Sequence, residues 1–394
     1  MDFDTIEQIP LTGRRVLVRA SLNVPLGSQG QVVNDYRLQQ AVPTIRHAAE
    51  RKAKVIIAGH LGRPETGVDP SLSLAPIARR LTHLLGRPVV MAENTVGPSV
   101  TKSVASMRPG DIVLLENLRF HRGETSNDLA FARELASFTD VYVNDAFSVS
   151  HREHASIVGV AKLCQTNAIG FLMQKEIEAF SRLRHHAPSP FVVILGGSKV
   201  KTKLAVISYL AKTCDVVLLG GLIGLTMLRA AGIGVGATDV EQGLLGEAKT
   251  VLAESRHARA SVLSAKDHVV AERLDPGAPF RSTEGVSIPD GYVGCDIGPK
   301  TVEEFTEILR RAKTIFWNGP LGACEIPRCD RGTNRVAEAI SEDASINVAG
   351  GGDTVAYLVR SGYGKSFSHL STGGGAALEF LVQGDLPGLA ALLH

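Results

Sequence analysis

The chain's 394 residues exceed what one compact core ordinarily supports, so two domains of usual size are expected. A formal charge of +2 gives no global case for nucleic acid or an anionic membrane as a partner, and any basic site must be local. The five cysteines, Cys164, Cys214, Cys295, Cys324 and Cys329, are odd in number and contain no Cys-x-x-Cys pair, which argues against a disulfide framework or a zinc knuckle. The acidic start Met-Asp-Phe-Asp lacks the pattern of a signal peptide, and the apolar stretch 216–228 is too short to span a bilayer. A soluble cytoplasmic protein with reduced thiols is the expectation.

Runs rich in valine, isoleucine and leucine alternate with longer amphipathic segments along nearly the whole chain, which predicts an α/β architecture of parallel sheets covered by helices on both faces. The predicted strands are 15–20, 54–59, 88–91, 112–116 and 141–144 in the first half. In the second they are 191–195, 215–220, 261–263, 314–317 and 346–349. Ligands in open sheets of this kind sit beyond the carboxyl ends of the strands, so the chemistry is expected just after each run.

In the first half those residues are largely cationic. Arg19 lies just inside the first strand end, Ser21-Leu22-Asn23 follows it, and Arg37 opens the next helix. His60-Leu61-Gly62-Arg63 follows the second strand and Asn117-Leu118-Arg119 the fourth. Asp145 and then His151-Arg152 follow the fifth. A single arginine in such a place is ordinarily a solvated surface charge. Four or five converging on one sheet end repel one another unless an anion holds them, and the planar guanidinium fork suits phosphate and carboxylate.

Residues 170–186 read as an amphipathic helix stopped by Pro188-Ser189-Pro190, a stiff connector between the halves. After the first strand of the second half comes Gly196-Gly197-Ser198-Lys199-Val200-Lys201-Thr202-Lys203, where a lysine on a flexible stem suits a phosphate. Gly220-Gly221 ends another strand. Trp317-Asn318-Gly319-Pro320 follows a third, with Glu325 close behind to accept from ribose hydroxyls. Two tandem turns, Gly350-Gly351-Gly352 and Gly373-Gly374-Gly375, each run from an apolar stretch into a helix, where unpaired N–H groups form a phosphate cradle. Asp353 beside the first makes sense as a ligand of a magnesium ion on those phosphates, or as a partner to that ion's other ligands. A dehydrogenase is disfavoured, because no Gly-x-Gly-x-x-Gly follows a first strand.

With these residues in view, the chain closely resembles the phosphoglycerate kinase family over essentially its whole length. The matching segments are RVLVRASLNVPL (15–26), Arg37, HLGRP (60–64), LLENLRFH (114–121), VNDAF (143–147) with His151-Arg152, GGSKVKTKL (196–204), DIGP (296–299), WNGPLG (317–322), GGGDT (350–354) and SHLSTGGGA (368–376). The resemblance implies two Rossmann-like domains: a phosphoglycerate-binding domain at 1–169, onto which 376–394 packs back, and a nucleotide-binding domain at 191–375. An interdomain helix and hinge at 170–190 joins them. It implies reversible phosphoryl transfer from 1,3-bisphosphoglycerate to MgADP, giving 3-phosphoglycerate and MgATP, in a cytoplasmic monomer with no nucleic acid or membrane partner.

Carried over by position, Ser21, Leu22, Asn23, Arg37, His60, Leu61, Gly62, Arg63, Arg119 and Arg152 bind the phosphoglycerate. Lys203, Gly220, Gly221, Asn318, Pro320, Glu325, Gly351, Gly352, Asp353 and Thr354 bind ADP or ATP, with Asp353 on Mg2+. Arg37 and Lys199 are the catalytic pair. Ser21-Leu22 stands where the family usually has Asp-Phe, Ser148-Val149-Ser150 where it has Gly-Thr-Ala, and Leu222 in place of a glycine of the purine slot. Losing a charged hydrogen bond at Ser21 costs on the order of 1.5–3 kcal/mol. Two alternatives follow: an acyl-phosphate kinase for a different carboxylic acid, and a weakly active nucleotide-binding homologue.

Overall fold

The strand residues of the first half alternate between two cores, which is what a sheet buried on both faces requires. In the computed structural model, which describes residues 3–65, 67–342 and 345–393, six strands form one sheet. They are β1 (Arg15–Ala20), β2 (Lys54–Ala58), β3 (Val90–Met91), β4 (Ile112–Leu114), β5 (Val141–Asp145) and β6 (Asn167–Ile169). All pairings are parallel and the order is β3-β4-β2-β1-β5-β6. Val16, Val18 and Ile57 face a core with Ile45 and Leu81 of the helices Tyr36–Glu50 and Ala75–Leu85. Leu17, Ile56 and Tyr142 face the opposite core, with Val100 and Phe131 of Pro98–Ala105 and Leu129–Ser137.

The second sheet comprises β7 (Phe191–Leu195), β8 (Val216–Leu219) and β9 (Ser261–Ser264), then, after an excursion, β13 (Thr314–Asn318), β14 (Ile346–Gly350) and β15 (His369–Leu370). Its order is β15-β14-β13-β7-β8-β9, again wholly parallel. The excursion is a small antiparallel sheet of β10 (His268–Ala271), β11 (Arg281–Ser282) and β12 (Val293–Ile297), ordered β11-β10-β12. The two-sheet α/β class is as expected. Strand β6 and the antiparallel sheet were not anticipated, because runs of two to five residues between glycines and prolines carry too little periodicity. Among the described residues no helix is long and apolar enough to cross a membrane.

The chain divides into two compact units, residues 1–178 with 385–394, and residues 179–384. Helix Phe171–His185 runs across the division. Its start belongs to the first unit, where Phe171 N–H donates to Thr44 Oγ1 (2.9 Å) and Met173 N–H to the buried Asp145 Oδ1 (3.1 Å). Burial pushes the Asp145 carboxyl up to about 6. Helix Gly375–Gln383 falls in the second unit, and Arg184 explains its attachment there. The guanidinium donates to the last carbonyls of that helix, Leu381 O (2.8 Å) and Val382 O (2.7 Å), a cation at a helix C-terminus. Gly388, in the short helix Pro387–Ala390, donates to Ser150 O (2.8 Å) within the first unit.

Reversal of strand order between β1 and β5, and between β7 and β13, places a crevice at the carboxyl end of each sheet. Phe316 on β13 is fully buried and meets the edge of Phe180 at a ring separation of 5.7 Å. Phe316→Ala is expected to destabilise the second unit by about 3–5 kcal/mol. Fluorescence of Trp317, the chain's single tryptophan and fully buried, reads this in denaturant unfolding. A loss below about 1 kcal/mol would contradict the packing described.

Candidate active site

At the carboxyl end of β1 the chain buries a guanidinium completely. Arg19 Nε donates to Ser156 Oγ (2.9 Å), Nη1 to Ala20 O (2.7 Å) and Nη2 to His60 Nδ1 (3.1 Å), while Glu124 Oε1 lies 3.9 Å away. Glu124, also fully buried, accepts from Ser156 N–H (2.9 Å) and Ser156 Oγ (2.7 Å). Arginine is always a donor, so it fixes His60 with a lone pair on Nδ1 and the proton on Nε2. Burial holds His60 well below the ordinary imidazole range, and Arg19, Arg119, His154 and Arg37 add to the effect.

The other first-half candidates gather around this pair. Asn23 Oδ1 accepts from Gly62 N–H (2.9 Å) and its carbonyl from Arg37 Nη1 (3.0 Å). Arg119 Nη1 donates to Gly62 O (2.5 Å). Its pKa is lowered to about 10 by burial and by the neighbouring Arg19, Arg63 and Arg152, which places all four in one electrostatic neighbourhood. Arg63 and Arg152 are exposed and Arg37 half-buried. Two candidates contribute less than expected. The Leu22 and Leu61 side chains are core, Leu22 lying against Gly59, so only their backbones face the crevice.

Sequence reasoning passed over the organisers Glu124, Ser156 and Asn117. Buried Asn117 donates to Leu61 O (2.8 Å) and Leu72 O (2.9 Å) and accepts from Arg119 N–H (3.1 Å). Asn117 lies in the segment 114–121, but nothing in a sequence marks which polar side chain is buried. The two serine departures meet each other: Ser21 Oγ and Ser148 Oγ lie 2.6 Å apart, at the ends of the adjacent strands β1 and β5.

In the second unit the crevice between β7 and β13 is closed by backbone. Gly196 N–H donates to Asn318 O (3.0 Å), Gly197 N–H to Pro320 O (2.7 Å) and Gly221 N–H to Leu321 O (2.8 Å). A Cβ on Gly196 would collide with Pro320 O, and Gly197, Gly221 and Gly319 have φ of +77°, +56° and +99°, so these turns need glycine. Lys203, buried on helix Val200–Thr213, places Nζ on Gly196 O. Burial pulls its pKa down to about 8; Lys199 adds to this and Asp353 opposes it.

Beside it lies a cavity of about 590 Å3 whose walls include Gly220, Gly221, Leu222, Pro320, Glu325 and Asp353. Of the two triple-glycine turns only the first reaches it, through Asp353. Thr354 Oγ1 accepts from Gly319 N–H (2.7 Å), so it ties β13 to helix Gly352–Arg360. Buried Asn318 Nδ2 has no hydrogen-bond partner and stands about where a Cβ on Gly350 or Gly351 would touch it, a donor aimed at the glycine turn. Lys199 and Ser198 are exposed at the head of helix Val200–Thr213. Among the described residues no three His, Cys, Asp or Glu side chains cluster to hold a metal unaided. A lone carboxylate at a phosphate-sized turn fits magnesium, which keeps most of its ligands as water and phosphate oxygens.

The histidines set a pH dependence. His151 and His154 are lowered to about 4 by burial and neighbouring arginines, and His60 is also depressed. Unfolded imidazoles take up protons below about 6.5 while these do not, so first-unit stability is expected to fall as pH drops from about 6.5 to about 4. Asp145, with its folded pKa raised to about 6, works in the opposite direction and offsets one of the three. Amide exchange of β1 and β5 reads this, and His154→Gln should flatten the slope. Protection that grows on acidification from 6.5 to 5 would contradict it.

Comparison with known proteins accords with this geometry. A family model described as phosphoglycerate kinase matches residues 6–384. The curated phosphoglycerate kinase of Desulfosudis oleivorans is 46% identical over 388 residues, covering 98% of each chain. Solved structures of phosphoglycerate kinases superpose along nearly all of both chains. That of Coxiella burnetii has a TM-score of 0.85 at 34% identity, covering 99% of each chain. That of Pyrococcus horikoshii has 0.89 at 32%, covering 99% of this chain and 98% of the other. The chain belongs to the phosphoglycerate kinase family.

Proposed function

We propose that this enzyme transfers a phosphoryl group reversibly from 1,3-bisphosphoglycerate to MgADP, giving 3-phosphoglycerate and MgATP, as a cytoplasmic monomer. The observation that carries the reading is the family match along nearly the whole chain, with cationic residues at one sheet end and a glycine-built pocket at the other. Neither an acyl-phosphate kinase for a different carboxylic acid nor a weakly active nucleotide-binding homologue is favoured by the family match.

Run toward 1,3-bisphosphoglycerate, the attacking group is a carboxylate with a pKa of roughly 4, ionised at neutral pH. No general base is required. The task is to position two anions, exclude water and place positive charge around a loose, planar phosphoryl group. In this reading Arg63, Arg119, Arg152, Asn23 and the neutral His60 hold the phosphoglycerate. Arg37, anchored by Asn23 O, reaches the transferring group. Lys203, Asn318, Pro320, Glu325, Gly220, Gly221 and the Gly351–Thr354 turn hold the nucleotide, and exposed Lys199 follows the phosphoryl. Asp353 would hold Mg2+, which when bound neutralises phosphate charge. The phosphoglycerate-binding residues fall in the first unit and the nucleotide-binding residues in the second.

Ser21 and Ser148 give the acid's hydroxyl a neutral, mutually hydrogen-bonded partner. This lowers the strength of that contact by roughly ten- to a hundredfold relative to a charged one without removing a catalytic cation.

A coupled assay of ATP formation from 1,3-bisphosphoglycerate tests the activity, and no turnover at saturating MgADP would sink it. Lys199→Ala is expected to lower kcat by roughly a hundredfold or more while leaving nucleotide KM within about threefold, because its charge acts mainly in the transition state. Equal losses in both would remove Lys199 from that role.

A further inference from the structure

A second cavity of about 320 Å3 lies elsewhere in the second unit, within the size range of small-molecule sites. Val269 and Ile297, from the antiparallel strands β10 and β12, line its apolar floor together with Phe280. Arg281, Arg328, Arg331 and Arg335 line it as well, and among the described residues no carboxylate does. It shares only Ile297 with the nucleotide cavity.

Only one of these four arginines has an ion-pair partner among the described residues. Arg335 pairs with Glu338 one turn along its own helix, Arg331–Ser341. Among the described residues, Arg281, Arg328 and Arg331 make no ion pair and no side-chain hydrogen bond. Two of them are instead held over ring faces, Arg281 at 4.0 Å from the Tyr292 centroid and Arg328 at 5.4 Å from that of Phe280. A ring steadies the flat side of a guanidinium and leaves its in-plane N–H fork directed outward, the geometry that takes phosphate or carboxylate two bonds at a time. Arg328 also keeps φ at +78°, a left-handed conformation in which glycine would be relaxed and a Cβ is disfavoured.

Helix ends do not account for the site's polarity. The N–H of Gly332 is taken by Asp296 (2.7 Å), and those of Lys300 and Thr301 by Asp267 (3.0 and 2.8 Å). Attraction for an anion therefore rests mainly on the arginine side chains, with Ser282 the other polar side chain of the lining.

We propose that this cavity binds a small organic dianion, a phosphomonoester on a flat apolar body. Arg281, Arg328 and Arg331 clasp the phosphate, and the body lies against Phe280 and Ile297. The volume suits a body of one ring.

Phenyl phosphate and inorganic phosphate serve as probes, titrated calorimetrically into the full chain with ADP and 3-phosphoglycerate at saturation. The intact chain is expected to bind one phenyl phosphate, roughly tenfold more tightly than inorganic phosphate. The double variant Arg328→Gly/Arg331→Gln is expected to lose at least about tenfold of that binding while turnover stays unchanged. Glycine accepts the left-handed backbone at 328, so folding is not put at risk, and Trp317 fluorescence monitors it. Arg331→Gln alone supplies a second, smaller loss. Equal binding by the intact and variant chains, or no preference for phenyl phosphate over inorganic phosphate, would overturn the proposal.

Discussion

A charged guanidinium with no access to solvent is the constraint on which the first unit's crevice depends. Removing Arg19 from water costs several kcal/mol unless every donor finds a partner. The chain provides them: Glu124 for charge, Ser156 and Ala20 for hydrogen bonds, and the lone pair of His60. Glu124 is held inside by Arg19 and Ser156, and its charge only partly offsets the arginines around Arg119. The loop 60–63 is pinned from three sides, by Arg19 on His60, Asn117 on Leu61 and Asn23 on Gly62. The strand end therefore presents fixed donors and surplus charge before any ligand arrives, which is the preorganisation that phosphate recognition needs.

The second unit reaches a comparable end by another route. Its crevice owes its shape to glycines whose backbones cross where any side chain would collide, and its buried cation, Lys203, rests on one of those carbonyls. Burial brings that lysine toward neutrality, so it gains most when a phosphate replaces the carbonyl as partner. One unit thus supplies dense fixed charge, the other close backbone approach with a few mobile cations. A reaction that moves a phosphoryl between two anions calls for both.

Much of this was legible in the sequence because the strands of both large sheets are continuous apolar runs and the chemistry follows them directly. Arg37, His60, Arg63, Arg119 and Arg152 stand out in the sequence for that reason. Strand β6 and the β10–β12 sheet were not, being short and interrupted. Burial of polar groups was the larger gap: Glu124, Ser156 and Asn117 read as ordinary polar residues until the fold encloses them. Position after a strand also overreached. It offered Leu22, whose side chain turns into the core, and a second glycine turn at 373–375 that does not line the nucleotide cavity. The Ser21–Ser148 contact joins residues 127 apart in sequence, and only the strand order brings them together.

Whether the surplus charge at the end of the first sheet is there to hold a phosphate is most directly read from its own imidazoles. NMR titration of His151 and His154 between pH 4 and 7, with and without saturating 3-phosphoglycerate, compares their protonation beside a bound dianion and without one. If the phosphate sits among these arginines, both imidazoles, depressed to about 4 in the free protein, must titrate at higher pH in the complex. Curves that superimpose with and without the ligand would contradict the assignment of this crevice.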